Sequence, residues 1–271
     1  MGSIIDLSVT LEHGIISEEV PPKIRYINHK TGAFLLGLGI SASGRNIFCK
    51  LINLGRSFLS GKLLTPKDFP QKRGLSTEII RLGSHTGTHV DAPYHYGPDL
   101  PSIEEADLEV FFSDGVLLDF SDRPLGSNIS YEEVIRKLSE IDYRIKPNDI
   151  ILIRTGSDCY WGTEDFTIKY FGLSCEALSY FLELGVRLIG TDAFGLDAPF
   201  REMHTNYFRN GNNVNYLWPA HFYGRKKPYY MIEKLTNLSQ LPKPYGFKIA
   251  AFPIKIKKSS ASWARVVAIC D

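Results

Sequence analysis

The 271 residues carry 31 Lys and Arg against 30 Asp and Glu, a formal net charge of +1, so no overall field draws the chain to nucleic acid or to an anionic membrane surface. Hydrophobic residues make up 44% and charged residues 23%, the balance of a globular chain with a substantial core and not of a disordered or fibrous one. Cys49, Cys159, Cys175 and Cys270 are scattered without a CxxC pair, which argues against a thiolate zinc site or a disulfide framework and reads as reduced thiols in a cytoplasmic protein.

The N-terminus lacks a basic segment followed by an apolar run, and no apolar run reaches the ~18 residues a membrane span needs. Residues 4–9 read as a first strand. Residues from about 26 to 73 mix glycines with apolar and basic residues. They suggest a helix over 46–59 and an excursion that covers the domain. Residues 77–82 alternate toward a strand ended by Gly83, and 116–120 form another apolar run of strand length. The span 130–139 predicts an amphipathic helix, with Ser130 as N-cap and Glu133 three residues on, as in a capping box. Residues 149–154 predict a buried strand, 174–184 a helix ending at Gly185, and 186–189 a short strand running into Gly190-Thr191-Asp192. Two strands are expected in the tail, over 247–256 and 263–269. Helices and strands mix without a regular βαβ rhythm, and neither GxGxxG nor GxxxxGK[ST] occurs, so the expectation is one mixed α/β domain over 1–271 and not a doubly wound nucleotide fold.

The chemistry concentrates in residues 83–95. Three of the seven histidines, His85, His89 and His95, fall here with Asp91 among them. Imidazole nitrogen and carboxylate oxygen together suit Zn²⁺, Mn²⁺ or Fe²⁺. The i, i+4 spacing of His85 and His89 would fit a helix, but Gly87, Pro93 and the β-branched Thr86, Thr88 and Val90 oppose one. In an extended segment His89 and Asp91 share a face. A bend at Gly87 would return His85 to the same point, and Pro93 would aim His95 at the same cavity. Three ligands on a turn and a strand leave coordination positions open, as catalytic sites require.

The string HTGTHVDAPYH over 85–95 resembles the signature of the cyclase family, which includes bacterial kynurenine formamidase, isatin hydrolase and the cyclase-like proteins of aromatic polyketide pathways. The resemblance extends through most of the chain: Ile4–Ser8, Arg154-Thr155-Gly156, Gly190-Thr191-Asp192, His221 with Glu233 twelve positions on, and the ending Phe252–Lys255 with Ala264–Ile269. It implies a mixed swivelling β/β/α fold in an oligomer-forming domain, a homodimer or homotetramer. His85, His89 and Asp91 would be metal ligands. His221 and Glu233 would complete a site for one or two Zn or Mn ions, with Asp91 bridging a second ion, and His95 would be the general acid/base. The chain departs from the formamidase pattern in the longer segment Tyr26–Arg73 and in Ser260-Ala261-Ser262-Trp263 near the end. With Trp218-Pro219-Ala220-His221, these departures lean toward the polyketide-cyclase-like branch.

Other residues are open to two readings. Asp192 and Asp197 could orient a ligand histidine or cap a turn. Arg201 or Arg209 could grip a substrate carboxylate or simply face solvent. His13, His29 and His204 read as surface histidines. Tyr94, Tyr96, Trp161, Phe194 and Trp218 are candidates for an aromatic-accepting wall or for core, and Tyr94 and Trp218 are the expected substrate contacts. The function expected is hydrolysis of an amide, lactam or lactone carbonyl in an aromatic or cyclic small molecule, by metal-activated water with His95 protonating the leaving group. The same parts could instead close a polyketide ring through an enolate, and a metal-binding protein without catalysis is the third reading. The partner expected is a small molecule, with neither nucleic acid nor membrane.

Overall fold

The computed structural model describes residues 2–270, which divide into two compact units: Lys23–Arg81, and the chain on either side of it. The larger unit is built on a nine-stranded mixed sheet. In chain order its strands are β1 (Ser3–Asp6), β4 (His89–Asp91), β5 (Phe112–Asp119), β6 (Ile150–Arg154), β7 (Leu188–Thr191), β8 (Tyr230–Glu233), β9 (Tyr245–Ala250), β10 (Ala261–Trp263) and β11 (Val267–Cys270). The spatial order is β1-β11-β9-β5-β6-β7-β8-β4-β10. β5 to β8 run parallel, and every other pairing is antiparallel.

The parallel strands are buried on both faces, which is why β6 reads as an unbroken apolar run. Ile150 and Leu152 join one core cluster, and Ile151 and Ile153 the other. Helices α3 (Tyr131–Glu140) and α4 (Cys175–Glu183) cover the second cluster with Val134, Leu138, Leu178 and Phe181. The first cluster is closed by the sheet itself. Phe247, Ile249, Val266 and Ala268 from its antiparallel arm pack beside Val90 and Ile232. A bridge from Ser8 to Leu235 and the Leu7–Val266 and Thr236–Leu7 hydrogen bonds join the end of β1 to the turn after β8. The sheet is therefore curled, with helices on its outer side, the mixed α/β architecture expected.

α3 has the expected capping box, in which the Ser130 side chain accepts from the Glu133 N–H and Glu133 accepts from the Ser130 N–H. Two expectations in the tail shorten. The strand of 247–256 ends at Ala250, and 263–269 splits into β10 and β11 around Ala264–Val266. β10 turns away to pair with β4 while β11 pairs with β9, so one run of β-prone residues serves two places in the sheet.

The smaller unit has an antiparallel ribbon, β2 (Lys23–Ile27) with β3 (Thr77–Arg81), and helices α1 (His29–Ser41) and α2 (Ile47–Leu59). The helix expected over 46–59 is α2, with the Asn46 side chain as its N-cap. α1 was not expected because it contains Gly32, Gly37 and Gly39. Two of these are steric requirements, since a Cβ on Gly32 or Gly37 would strike the carbonyl of Leu75 or Leu64. Among the described residues, no helix is long and apolar enough to cross a membrane.

Candidate metal centre

Strand register brings the centre together. β4 places His89 and Asp91 two residues apart on one face, and its antiparallel neighbour β8 sets Glu233 directly opposite His89. Gly87, at φ +66°, makes the turn that returns His85 toward the strand. Its N–H donates to Glu18 Oε1 at 2.7 Å. His85 Nδ1 then stands 2.8 Å from Asp91 Oδ1, and His89 Nε2 lies 3.1 Å from the same oxygen and 3.4 Å from Glu233 Oε2. The fourth side, His221, comes from the short helix α6 (Pro219–Tyr223). Its Nε2 is 3.9 Å from Asp91 Oδ2 and 3.8 Å from Glu233 Oε1. The pair His221 and Glu233, distant in sequence from the 85–95 string, thus faces it across the same space.

The second nitrogen of each ring is held by the protein. His89 Nδ1 hydrogen-bonds the Gly87 carbonyl at 2.8 Å, and His85 Nε2 meets Ser260 Oγ at 3.1 Å. His221 Nδ1 meets Asp197 Oδ2 at 2.5 Å, while both Asp197 oxygens also accept from the Ala220 and His221 N–H groups. These contacts turn His85 Nδ1, His89 Nε2 and His221 Nε2 toward one space, as outer hydrogen bonds do for metal-binding imidazoles.

Asp91 and His89 are fully buried, yet neither Asp91 oxygen nor His89 Nε2 has a hydrogen-bond partner of acceptable geometry. Buried polar atoms left so are costly and rare. A divalent cation satisfies all three at once, and a set of imidazoles and carboxylates is the donor chemistry of zinc and manganese. Among the described residues, ligand atoms within 4.8 Å of one another form two sets, His85/Asp91/His95 and His89/Asp91/Glu233, which share Asp91.

Charge follows the same geometry. Burial opposes ionisation of Asp91, but the charge of His89 and the contacts with His85 and His89 outweigh it and hold its carboxyl well below the usual range. Burial, with Asp91 close by, raises Glu233. Burial works against protonation of His221, but the Asp197 hydrogen bond and charge overcome it and push its pKa up to about 9. His95 moves the other way, down to about 4: although the residue as a whole is partly open to solvent, desolvation of its ring and the neighbouring His85, His221 and His89 outweigh the attraction of Asp91. Its imidazole is therefore neutral at pH 7. Its ring centroid is 4.3 Å from that of His85 and 5.4 Å from that of His221.

The centre opens into a cavity of about 450 Å³, with His85, Asp91, His95, His221 and Glu233 on its polar side and Val20, Tyr170, Phe194, Phe200, Met203 and Trp218 among the residues of its wall. Trp218, an expected substrate contact, lines this cavity. Tyr94 does not line the cavity and is half exposed. It sits in the 3₁₀ turn Pro93–His95, where successive side chains diverge by ~120°, so with His95 turned inward Tyr94 faces elsewhere. Tyr96 is core, stacked on Tyr229, and Trp161 packs edge-on to Phe166. His204, Arg201 and Arg209 lie on the polar helix α5 (Phe200–Arg209), off the cavity. The two uncertain aspartates separate in role. Asp197 orients His221, whereas Asp192 accepts from the Thr155 and Gly156 N–H groups and fastens the ends of two strands.

Sequence reasoning missed Lys234 and Glu18. Lys234 is buried in a left-handed conformation, φ +59°, and its ammonium donates to Glu18 Oε2 and to the His85 carbonyl, each at 2.8 Å. This buried pair clamps both ends of the His85–Gly87 turn. Nothing local in the sequence marks a partner 216 positions away; the only available sign was an ionic side chain directly after a strand-end ligand.

The chain is similar to known proteins. The chain is 28% identical over 138 residues to a kynurenine formamidase of Bacillus cereus and 26% identical over 138 residues to one of Bacillus mycoides. Each alignment covers 50% of this chain and 61% of the relative, so the chain spans about three fifths of the curated relatives it matches. Among solved structures, isatin hydrolase A from Labrenzia aggregata bound to benzyl benzoate superposes with a TM-score of 0.70 at 24% identity, over 99% of this chain and 94% of that one. An isatin hydrolase bound to the product analogue thioisatinate gives 0.71 at 18% identity, over 99% and 92%. These structures share the fold. The Cyclase family matches residues 5–198, more than half of the sequence, including the whole 85–95 string: the chain belongs to the Cyclase family.

Proposed function

We propose that this protein is a metal-dependent hydrolase that opens an amide, lactam or lactone carbonyl in an aromatic or cyclic small molecule. One observation carries the reading: the buried Asp91 oxygens and His89 Nε2 have no hydrogen-bond partner of acceptable geometry, and Asp91 lines an apolar-walled cavity that also holds the neutral imidazole of His95. His85, His89, Asp91, His221 and Glu233 would hold one or two Zn or Mn ions; Asp91 is common to the two donor sets, one of which also contains His95, and His221 Nε2 faces Asp91 and Glu233 from 3.9 and 3.8 Å. A divalent ion in such a site lowers the pKa of water to ~7 and polarises a carbonyl oxygen.

The protein's own residues do the rest. Phe194, Phe200, Met203 and Trp218 accept an apolar ring and keep bulk water from the reacting carbonyl. His95, neutral at pH 7, takes a proton from the attacking water and returns it to the leaving nitrogen or oxygen. Asp197 keeps His221 Nε2 facing the centre through its contact with Nδ1. The kynurenine formamidase and isatin hydrolase relatives support the hydrolytic reading.

Ring closure of a poly-carbonyl chain is the second reading, favoured by the apolar wall and by a histidine whose resting state is a base. Incubation of the metal-loaded protein with N-formylkynurenine, isatin and aryl lactones separates the two. Turnover of any of them supports hydrolysis, and failure on all with metal bound favours cyclisation. His95→Ala tests the proton carrier: the proposal expects metal content unchanged and turnover down by ~10²-fold or more. Loss of metal from that variant would make His95 a ligand instead.

A further inference from the structure

The apolar wall of the cavity carries a buried polar group that the protein leaves unused. Glu18, Lys234 and Asp197, charged side chains of the lining, are engaged: Glu18 by Lys234 and the Gly87 N–H, and Asp197 by His221. Tyr170 is only 3% exposed and lines the same cavity, yet among the described residues its hydroxyl has no hydrogen-bond partner. The Tyr96 hydroxyl, also unpaired, is sealed from solvent, whereas that of Tyr170 is not. In a side chain otherwise enclosed, the open hydroxyl is the part that meets the cavity.

The chain on both sides holds this residue in place. Phe166 and Phe171 are buried, and the Leu173 N–H donates to the Leu196 carbonyl at 2.7 Å. Gly172 permits that approach, since a Cβ there would lie 2.3 Å from the Leu196 carbonyl oxygen. The stretch 170–173 is thus fastened to the residues that lead into Asp197. The Tyr170 ring stacks on Phe194 with centroids 6.3 Å apart, Phe194 meets Phe200, and Phe200 meets Trp218. A ring held in such a row has little freedom to turn its hydroxyl away. Burial and the nearby charges of Glu233, Asp197 and Glu19 push the phenol's pKa up, so it keeps its proton and offers a donor. Water serves that donor while the cavity is open. A bound ring that excludes water must supply an acceptor or leave the hydroxyl unpaired, and sites built this way reject analogues that lack the acceptor.

We propose that Tyr170 is a specificity-determining residue: its hydroxyl donates a hydrogen bond to an oxygen acceptor on the bound ring, separate from the carbonyl that reacts. The assignment deepens the hydrolytic reading and rests on it for the choice of cavity. Tyr170 belongs to neither donor set of the metal centre, so its effect falls on the ligand and not on the ion.

The test compares isatin with oxindole, the same lactam ring with a methylene where isatin has its second carbonyl. Binding to metal-loaded wild type and Tyr170→Phe is followed by stopped-flow tryptophan fluorescence, in the phase that precedes turnover. Wild type is expected to hold isatin more tightly than oxindole. Tyr170→Phe is expected to lose ~10-fold in affinity for isatin and less than ~2-fold for oxindole. Its metal content and urea midpoint should equal those of wild type, because the hydroxyl makes no bond within the protein. Equal losses for both probes, no loss for isatin, or a wild type that responds to neither probe overturns the proposal. So does a fall in the urea midpoint, which would give the hydroxyl a structural partner. Isatin that binds with the expected preference but is not opened fails the hydrolytic reading alone. Isatin that both proteins open and bind equally well fails this proposal alone.

Discussion

Gly195 packs directly against two side chains of the centre: a Cβ there would lie 2.9 Å from Glu233 Oε1 and 3.9 Å from the His221 ring. Gly195→Ala should push Glu233 off His221 and weaken metal affinity by ~10-fold or more, read by competition with a chromophoric chelator, while the fold stays intact. Asp197 tests the electrostatics. It is the chief reason His221 holds a proton up to about 9, and cation uptake at Nε2 must release that proton. Apparent metal affinity should therefore climb with pH from about 6 to about 9. Asp197→Asn removes the raising charge, so the climb should finish at lower pH, although the less firmly held ring lowers the affinity reached. The Glu18–Lys234 pair tests burial. Glu18→Ala would strand a buried ammonium and should cost ~3 kcal/mol of stability in denaturant titration. The residues from His85 to His95 were legible because a turn and a short strand keep ligands that are close in sequence close in space. Glu18 and Lys234 were not, because an ion pair that props a turn obeys no spacing rule.

Elements with both faces buried, or with a capping signal, could be read from the sequence. β6 and α3 came out within a residue or two of their bounds, since an apolar run bounded by turn residues and a capping box are local physics. α1 could not be read, because its glycines serve close backbone contacts and not helix propensity. The split into β10 and β11 was equally hidden, because only the partners β4 and β9 distinguish the two ends of one β-prone run. Asp192 offers a test at this scale. Burial raises its carboxyl to about 7 against the lowering effect of the Thr155 and Gly156 hydrogen bonds. A carboxyl raised on folding holds its proton more tightly in the native state, so the stability it contributes is full below about 4 and is lost as pH rises through about 7. Asp192→Asn should flatten that part of the stability–pH curve. A slope unchanged from wild type in thermal or urea unfolding would remove Asp192 as its source.

For the molecule as a whole, the curled sheet decides what can meet. It brings β4, β8 and α6 to one side of a cavity, so the candidate ligands from residues 85–95 and 221–233 face one another. The motif made the first half of that set visible in the sequence, and the family resemblance supplied the second half; strand register is the physical reason they coincide. The claim on which the catalytic account rests is that Asp91 and its neighbours hold a divalent cation. Elemental analysis and calorimetric titration of protein purified without chelator, wild type beside Asp91→Ala, test it most directly. The account predicts at least one zinc or manganese ion per wild-type chain and a loss of at least ~10²-fold in affinity in the variant; a wild type that takes up neither metal, or a variant that binds as tightly as wild type, would contradict it.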